Sequence, residues 1–427
     1  FIDKKFYVNN IDVLMHIVNV SFSSLSILGL YLLINKLFNK RIALITSLLT
    51  LLNPFFFGHM GINSKDIIIF FSFIWFSYYF YLYCVENEKT LKNLILSSFF
   101  IGFGCGVRLT FLVVIFPVVI IGFYYLIKKF KSDYSYLVIR LLKHTLIAFF
   151  ITTLLIILCW PHFIVEIGKG NFLGFSSLIV KNTINWLDGP KMGLINGEFY
   201  EVFNTPKSYF LSIVLYRLPF YFSILVISSY ILFFFKKNIF SNEIKNFNTN
   251  FLLVNIVAFF PIMLALLLKV NIYDNLRLFL FIIPLFSIIA ALSLNYNFNF
   301  FKVSTSSKAT LGIVFILFLL SFYRFVILSP YQYTYVNYSY LKFENSIGKF
   351  EHDYWGSSYK ELVKKIKQRY SKEEIKNFKI ADCGGGDYTL IYYLNKYLGV
   401  KKTYSGIDVL DQATHIVMNN RVFLDVF

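Results

Sequence analysis

Residues 58–66 read GHMGINSKD. Before them runs IALITSLLTLLNPFFF (42–57) and after them IIIFFSFIWFSYYFYLY (67–83), two stretches that favour oil over water. A charged pair, Lys65 and Asp66, therefore sits at a boundary between two apolar segments, where an ionised side chain is costly unless it is used. The same alternation of long apolar runs and short polar connections continues along most of the chain. It decides the fold class: a helical protein that crosses a membrane many times.

Composition agrees. The 427 residues are 57% hydrophobic, above the ~45–50% of a soluble domain, and the mean hydropathy is +0.63. Ten spans are expected, near 11–34, 42–58, 67–85, 93–107, 109–127, 144–162, 208–235, 251–268, 277–295 and 309–329. The run ILSSFFIGFGCGV in the fourth is short and glycine-rich, which suits close packing against a neighbour. Net charge is +18, but the cations concentrate in alternate loops, so topology explains them better than nucleic acid, and no nucleic-acid partner is expected. One set of loops carries Lys36, Lys40 and Arg41, then Lys89 and Lys92, then Lys128 to Lys143, Lys236 to Lys245, and Lys302 with Lys308. The other short loops hold only Lys65, Arg108, Lys269 and Arg277. By the positive-inside rule the first set is cytoplasmic. GHMGINSKD, the loop 163–207, VNIYDNLR (270–277) and the tail from about 330 then face outward. In a bacterium this would be the inner membrane, with the site toward the periplasm. Both termini would be outside, so one further helix is expected upstream of Phe1. The four cysteines have no metal-site or disulfide spacing.

Two domains are expected: 1–329 in the membrane and 330–427 as a small α/β domain outside it. In the latter, SYKELVKKIKQRYSKEEIKN has helical spacing, FKIADC reads as a strand, YTLIYYLNKYLG as a helix and THIVMNN as a second strand. The glycine run after Asp382 resembles a nucleotide-binding turn, but only about forty residues follow it, and a plain turn is the better reading.

Polar groups gather on the expected outer side. Asn63, Lys65 and Asp66 open a helix; Asp66 reads either as a helix-terminal carboxylate favoured by the dipole or as a catalytic group that orients a sugar or nucleophile. His59 lies in the same stretch. Tyr273, Asp274 and Arg277 stand at the end of another helix, where Asp274 and Arg277 can pair at i,i+3 and a guanidinium fork suits a lipid-linked phosphate as well as a headgroup. Arg108 and Arg217 are cations near or within spans and count as site candidates. Asp353, Tyr354 and Trp355 belong to a Tyr/Trp-rich run that suits either an aromatic belt or stacking on sugar rings.

In this order, MHIVN (15–19), NPFFFGHMGINSKD (53–66), GFGCGVR (102–108), WPHF (160–163), INGEFYEVFNTPKSYF (195–210), YDNLRLFLFIIP (273–284) and PYQYTYVNYSY with FEHDYWGSS (330–340, 350–358) resemble the GT-C superfamily of membrane glycosyltransferases. Nearest are bacterial relatives of the protein O-mannosyltransferases, glycosyltransferase family 39. The resemblance covers roughly residues 11–360. It implies an inverting transfer from a polyprenyl-phosphate sugar to a hydroxyl on an unknown glycan, lipid or protein acceptor. Within that picture Arg277 is the phosphate ligand and Asp66 shapes the site. No organic cofactor is implied, and a divalent ion at Asp66 is allowed but not required. The chain departs from the family in two ways. Leu278 stands where relatives often carry His. The usual catalytic acid of the first outer loop has no counterpart here beyond Asp3 and Asp12, so the base is expected upstream of Phe1. A transporter or flippase of lipid-linked glycans, or a non-catalytic binder of them, is the alternative. A transporter is expected to carry charges deep in several helices or paired broken helices.

Overall fold

The computed structural model describes residues 4–86, 89–131, 134–170, 192–201, 204–244, 246–268, 272–337, 349–383, 387–400 and 412–418. Outside them lie NWLDG of the long loop, the run 338–348, the glycines after Cys383, and Asp3. In chain order the helices are α1 (Lys4–Leu37), α2 (Lys40–Leu51), α3 (Pro54–Met60), α4 (Asp66–Val85), α5 (Thr90–Val107), α6 (Phe111–Lys129), α7 (Tyr134–Cys159), α8 (Pro161–Gly168), α9 (Tyr209–Arg217), α10 (Phe220–Glu243), α11 (Phe247–Leu268), α12 (Ile283–Asn299), α13 (Thr305–Ile327), α14 (Tyr359–Arg369), α15 (Lys372–Lys376) and α16 (Asp387–Leu398). Four short strands are β1 (Met192–Ile195), β2 (Glu198–Glu201), β3 (Ile380–Cys383) and β4 (His415–Met418).

Among the described residues eight helices are long and apolar enough to cross a membrane alone, and ten spans result if each of two bent pairs counts as one. The protein is therefore a helical, multi-span membrane protein, and two expected spans are broken. The segment expected as 42–58 bends by 75° between α2 and α3. The cause is local: Asn53 caps α3 through its side chain, which accepts from the Phe56 N–H at 3.2 Å, and Pro54 opens the new helix. The segment expected as 208–235 is α9 followed by α10, interrupted before Pro219. The helix expected from 277 begins as a 3-10 turn, Arg277–Ile282, ahead of α12.

The chain divides into two compact units. The first holds 1–187, 218–268 and 279–323; the second holds 188–217, 269–278 and 324–427. In the first, α4 packs on α1 and α5, α5 on α7, and α12 on α2 and α10. The window of α4 is 67% buried and that of α7 is 0% buried. Outward residues of α7 such as Leu146, Phe149 and Phe150 are apolar, as a helix facing lipid hydrocarbon requires. The glycine-rich end of α5 packs closely, as expected: a Cβ on Gly102 would stand 2.8 Å from the Leu155 Cβ of α7, and one on Gly104 2.5 Å from the Phe111 ring.

In the second unit, β1 and β2 form an antiparallel hairpin, with Asn196 and Gly197 at positive φ in the turn. Asn-Gly is the preferred pair for such a two-residue loop. The tail folds as the composition suggests. β3 and β4 pair in parallel with α16 between them, over a core of Tyr359, Val363, Ile380, Leu390, Leu394 and Val417. The helix expected over the lysine-rich stretch is two helices, because Ser371 and Glu374 form a reciprocal capping box that starts α15.

Candidate functional site

Two clusters of buried polar side chains, one in each unit, contain residues singled out from the sequence. In the first unit the GHMGINSKD stretch joins α3 to α4. Its backbone is fixed by the polar face of α1: His16 Nδ1 lies 2.7 Å from the Gly61 carbonyl, Asn19 donates to the same oxygen at 3.2 Å, and Ser23 donates to the Met60 carbonyl at 3.1 Å. The MHIVN segment is thus the support of GHMG. The α4 start is capped by Asn63, not by Asp66: Asn63 Oδ1 accepts from the Asp66 N–H at 2.9 Å and from the Lys65 N–H at 3.3 Å. This leaves the Asp66 carboxylate available for other partners. It accepts from Asn63 Nδ2 at 2.9 Å and from Arg108 Nη1 at 2.7 Å. Asp66 is 4% exposed, and the Arg108 side chain keeps 20% exposure. His59 is buried, with Nδ1 3.3 Å from Asn63 Nδ2. Lys65 is exposed and makes no ion pair among the described residues.

This geometry places His59, Asn63, Asp66 and Arg108 in one chain of contacts. A carboxylate engaged on one oxygen by an arginine and on the other by an amide is fixed in orientation. Such a group suits electrostatic or positioning work better than proton abstraction. Among the described residues no cluster of three His, Cys, Asp or Glu side chains is arranged to hold a metal ion.

The second unit builds its cluster on the loop 272–277. Asp274 and Asn275 both have positive φ, 53° and 61°. Non-glycine residues held this way mark strain that the surroundings must stabilise. The surroundings do so with buried hydrogen bonds. The Asp274 N–H donates to the Glu351 carboxylate at 3.1 Å, and the Asn275 N–H donates to the Tyr209 hydroxyl at 3.1 Å. The Asn275 side chain donates to the Glu351 carbonyl at 3.1 Å. Tyr200 of β2 donates its hydroxyl to the Ile272 carbonyl at 2.9 Å.

The turn presents Arg277. Its Nη1 lies 2.6 Å from Asp274 Oδ2, and its guanidinium stands over the rings of Tyr273 (5.2 Å) and Trp355 (5.4 Å). Arg277 is 8% exposed. Tyr273, Asp274, Arg277 and Trp355 are therefore brought together. Tyr354 is fully buried beside them. Burial pushes its phenol well above the ordinary range and the Asp274 charge adds to this, while Arg277 and Arg217 oppose it. The Tyr200 phenol is raised likewise, by burial first and by the Glu351 charge second. Both stay neutral hydroxyls at any working pH.

Arg217 and Asp353 are both engaged by protein groups. Arg217 is 1% exposed. Its Nε and Nη2 reach Asn275 Oδ1 at 3.2 and 3.1 Å, its Nη1 reaches the Tyr335 carbonyl at 2.9 Å, and its Nη2 also reaches the Glu351 carbonyl. The guanidinium is aimed at protein oxygens and organises the loop. Asp353 is committed to a turn, accepting from the Ser357 and Ser358 N–H groups at 2.9 and 3.1 Å and from the Tyr333 and Ser358 hydroxyls. Glu351, Asn275, Tyr200 and Tyr209 were not expected. The signal available was weak: an acidic residue two positions before Asp353, and an asparagine beside Asp274.

Residues 8–162 match the family model described as dolichyl-phosphate-mannose-protein mannosyltransferase. No curated relative matches the chain. Among solved structures, the apo form of the Archaeoglobus fulgidus oligosaccharyltransferase is similar over 96% of this chain and 54% of that one, with 13% identity and a TM-score of 0.44. The chain thus spans about half the length of that protein, and a similarity at this level is too low to rest an activity on. The family match covers α1 to α7, including GHMGINSKD and Arg108, and fits a membrane glycosyltransferase of the GT-C type.

Proposed function

We propose that the protein transfers a sugar from a polyprenyl-phosphate donor to an acceptor hydroxyl, with inversion, and that Arg277 holds the donor phosphate. The observation that carries this reading is the state of Arg277. One edge of its guanidinium is fixed by Asp274 at 2.6 Å and its face is held by Tyr273 and Trp355. A planar fork locked by a carboxylate and two rings loses little freedom on meeting a phosphate. The rings also offer apolar faces on which a sugar can stack. Separately, we propose that the buried Asp66, oriented by Asn63 and Arg108, positions a reacting group through its charge, with the exposed Lys65 beside it as a second cation for an anionic donor. On this reading transfer takes place on the side away from the basic loops, the periplasmic side of a bacterial inner membrane.

The test is transfer from a radiolabelled polyprenyl-phosphate sugar by the full chain in detergent or vesicles. Arg277→Ala is expected to lower transfer at least ~100-fold, on the scale of losing a charge-assisted phosphate contact, while Arg277→Lys retains part of it. Wild-type rates in Arg277→Ala refute the phosphate assignment. Donor binding without turnover in the wild type identifies a glycan-lipid binder instead. Movement of the donor across sealed vesicles without transfer identifies a flippase.

A further inference from the structure

The first unit contains an open-sided cavity of about 590 Å³ lined by α2, α10, α12 and α13. That volume is in the range of small-molecule sites. Its wall is almost wholly apolar. Arg41, Phe298 and Phe301 line one end, and Leu52, Tyr221 and Phe318 line the other. From Arg41 to Leu52 the wall follows α2 for about 16 Å at ~1.5 Å per residue. That equals one leaflet of a ~30 Å hydrocarbon core. The cavity exists because α13 touches the bundle along a narrow stripe: its buried residues are Ser307, Val314 and Ser321, seven apart, while Phe315, Ile316 and Tyr323 are exposed.

The two ends differ in charge. Arg41 Nη1 donates to Asn299 Oδ1 and its guanidinium lies 5.9 Å from the centre of the Phe298 ring. A guanidinium has five N–H donors, and among the described residues no carboxylate pairs with Arg41. Lys40 stands next to it, and Lys302 and Lys308 lie in the turn and first helical turn after α12, all exposed at this same end. Together these features describe an apolar slot one leaflet long, beneath a cation already oriented by an amide and a ring. We propose that the slot holds an acyl chain of an anionic phospholipid from the leaflet on the Lys40–Arg41 side, with its phosphate seated on Arg41. A zwitterionic lipid offers the same chain and phosphate, but its headgroup cation would face Arg41 and the three lysines.

The experiment uses the full chain in detergent and measures bound lipid by native mass spectrometry, titrating phosphatidylglycerol and phosphatidylcholine of identical chains. Phosphatidylglycerol is expected to bind about tenfold tighter. Arg41→Ala is expected to abolish that preference and Arg41→Lys to keep part of it. Val314→Trp, which fills the slot, is expected to reduce binding of both lipids; Ile45→Phe serves the same purpose if the tryptophan variant does not fold. Equal affinity for the two lipids in the wild type overturns the proposal. So does a preference unchanged in Arg41→Ala, or displacement of bound phosphatidylglycerol by polyprenyl phosphate, which would make the slot part of donor binding. Donor transfer is read separately, so failure here leaves the Arg277 reading standing.

Discussion

Asp66 and Arg108 are 42 residues apart in sequence and 2.7 Å apart in space, and their coupling can be measured without knowing the substrate. Asp66→Asn keeps the shape and can still accept from Asn63, but it leaves the Arg108 guanidinium without its counter-charge. Breaking a fully buried pair in this way costs about 3–5 kcal/mol. Here the Arg108 side chain keeps 20% exposure and the amide still accepts one bond, so about 2–3 kcal/mol is expected. Arg108→Gln, which strands the carboxylate at 5% side-chain exposure, is expected to cost at least as much. The double variant has neither charge and is expected to lose less than the sum, with a coupling of about 2 kcal/mol. Thermal unfolding of the four proteins in one detergent closes the cycle. Additivity within about 0.5 kcal/mol means the two groups do not interact, and the electrostatic role assigned to Asp66 falls with it. Transfer measured on the same proteins separates the roles further: the charge, not the fold, is at work if a variant that is still folded at the assay temperature is inactive.

Arg217→Lys keeps the charge but not the fork, and its ammonium cannot meet Asn275, Tyr335 and Glu351 together. A loss of about 3 kcal/mol is expected from two or three stranded acceptors, seen as early protease cleavage of the second unit; a changed donor KM with unchanged protease resistance would instead make Arg217 a ligand. Gly104→Ala places a methyl 2.5 Å from the Phe111 ring, so about 1–3 kcal/mol of overpacking is expected, relieved when Phe111→Leu is added; a wild-type melting temperature for Gly104→Ala alone refutes the close approach.

The helices were legible because bilayer length and apolar runs are properties of consecutive residues. The glycine-rich end of α5 was legible because glycine lets a neighbouring helix approach: Gly102 and Gly106, four apart, face Leu155 and Cys159 of α7. The breaks were harder. Asn53-Pro54 is an N-cap followed by a favoured first helical residue, yet the apolar run continues through it, and hydropathy alone joins α2 to α3. Asn196-Gly197 is a hairpin turn signal, but the two strands it joins are only four residues each, too short to show an alternating pattern.

The candidate site separates what a local pattern reveals from what folding alone decides. Asp274 and Arg277 pair at i,i+3, an interaction their spacing foretells. Whether the arginine that follows is held ready or left loose depends on Glu351, 77 residues from Asp274, and on Tyr209, 66 residues from Asn275. Those two groups satisfy the backbone of a turn with two consecutive positive φ angles, a conformation a non-glycine pair adopts only when held. The same logic applies to Arg217. A cation in an apolar helix needs a counterpart, and sequence can say that one exists but not whether it is a phosphate or the carbonyls of Tyr335 and Glu351. The buried acceptors therefore decide the roles. Where protein oxygens occupy the guanidinium, as at Arg217, it builds the loop. Where a carboxylate fixes one edge and aromatic rings hold the face, as at Arg277, the geometry is the one on which the phosphate proposal rests.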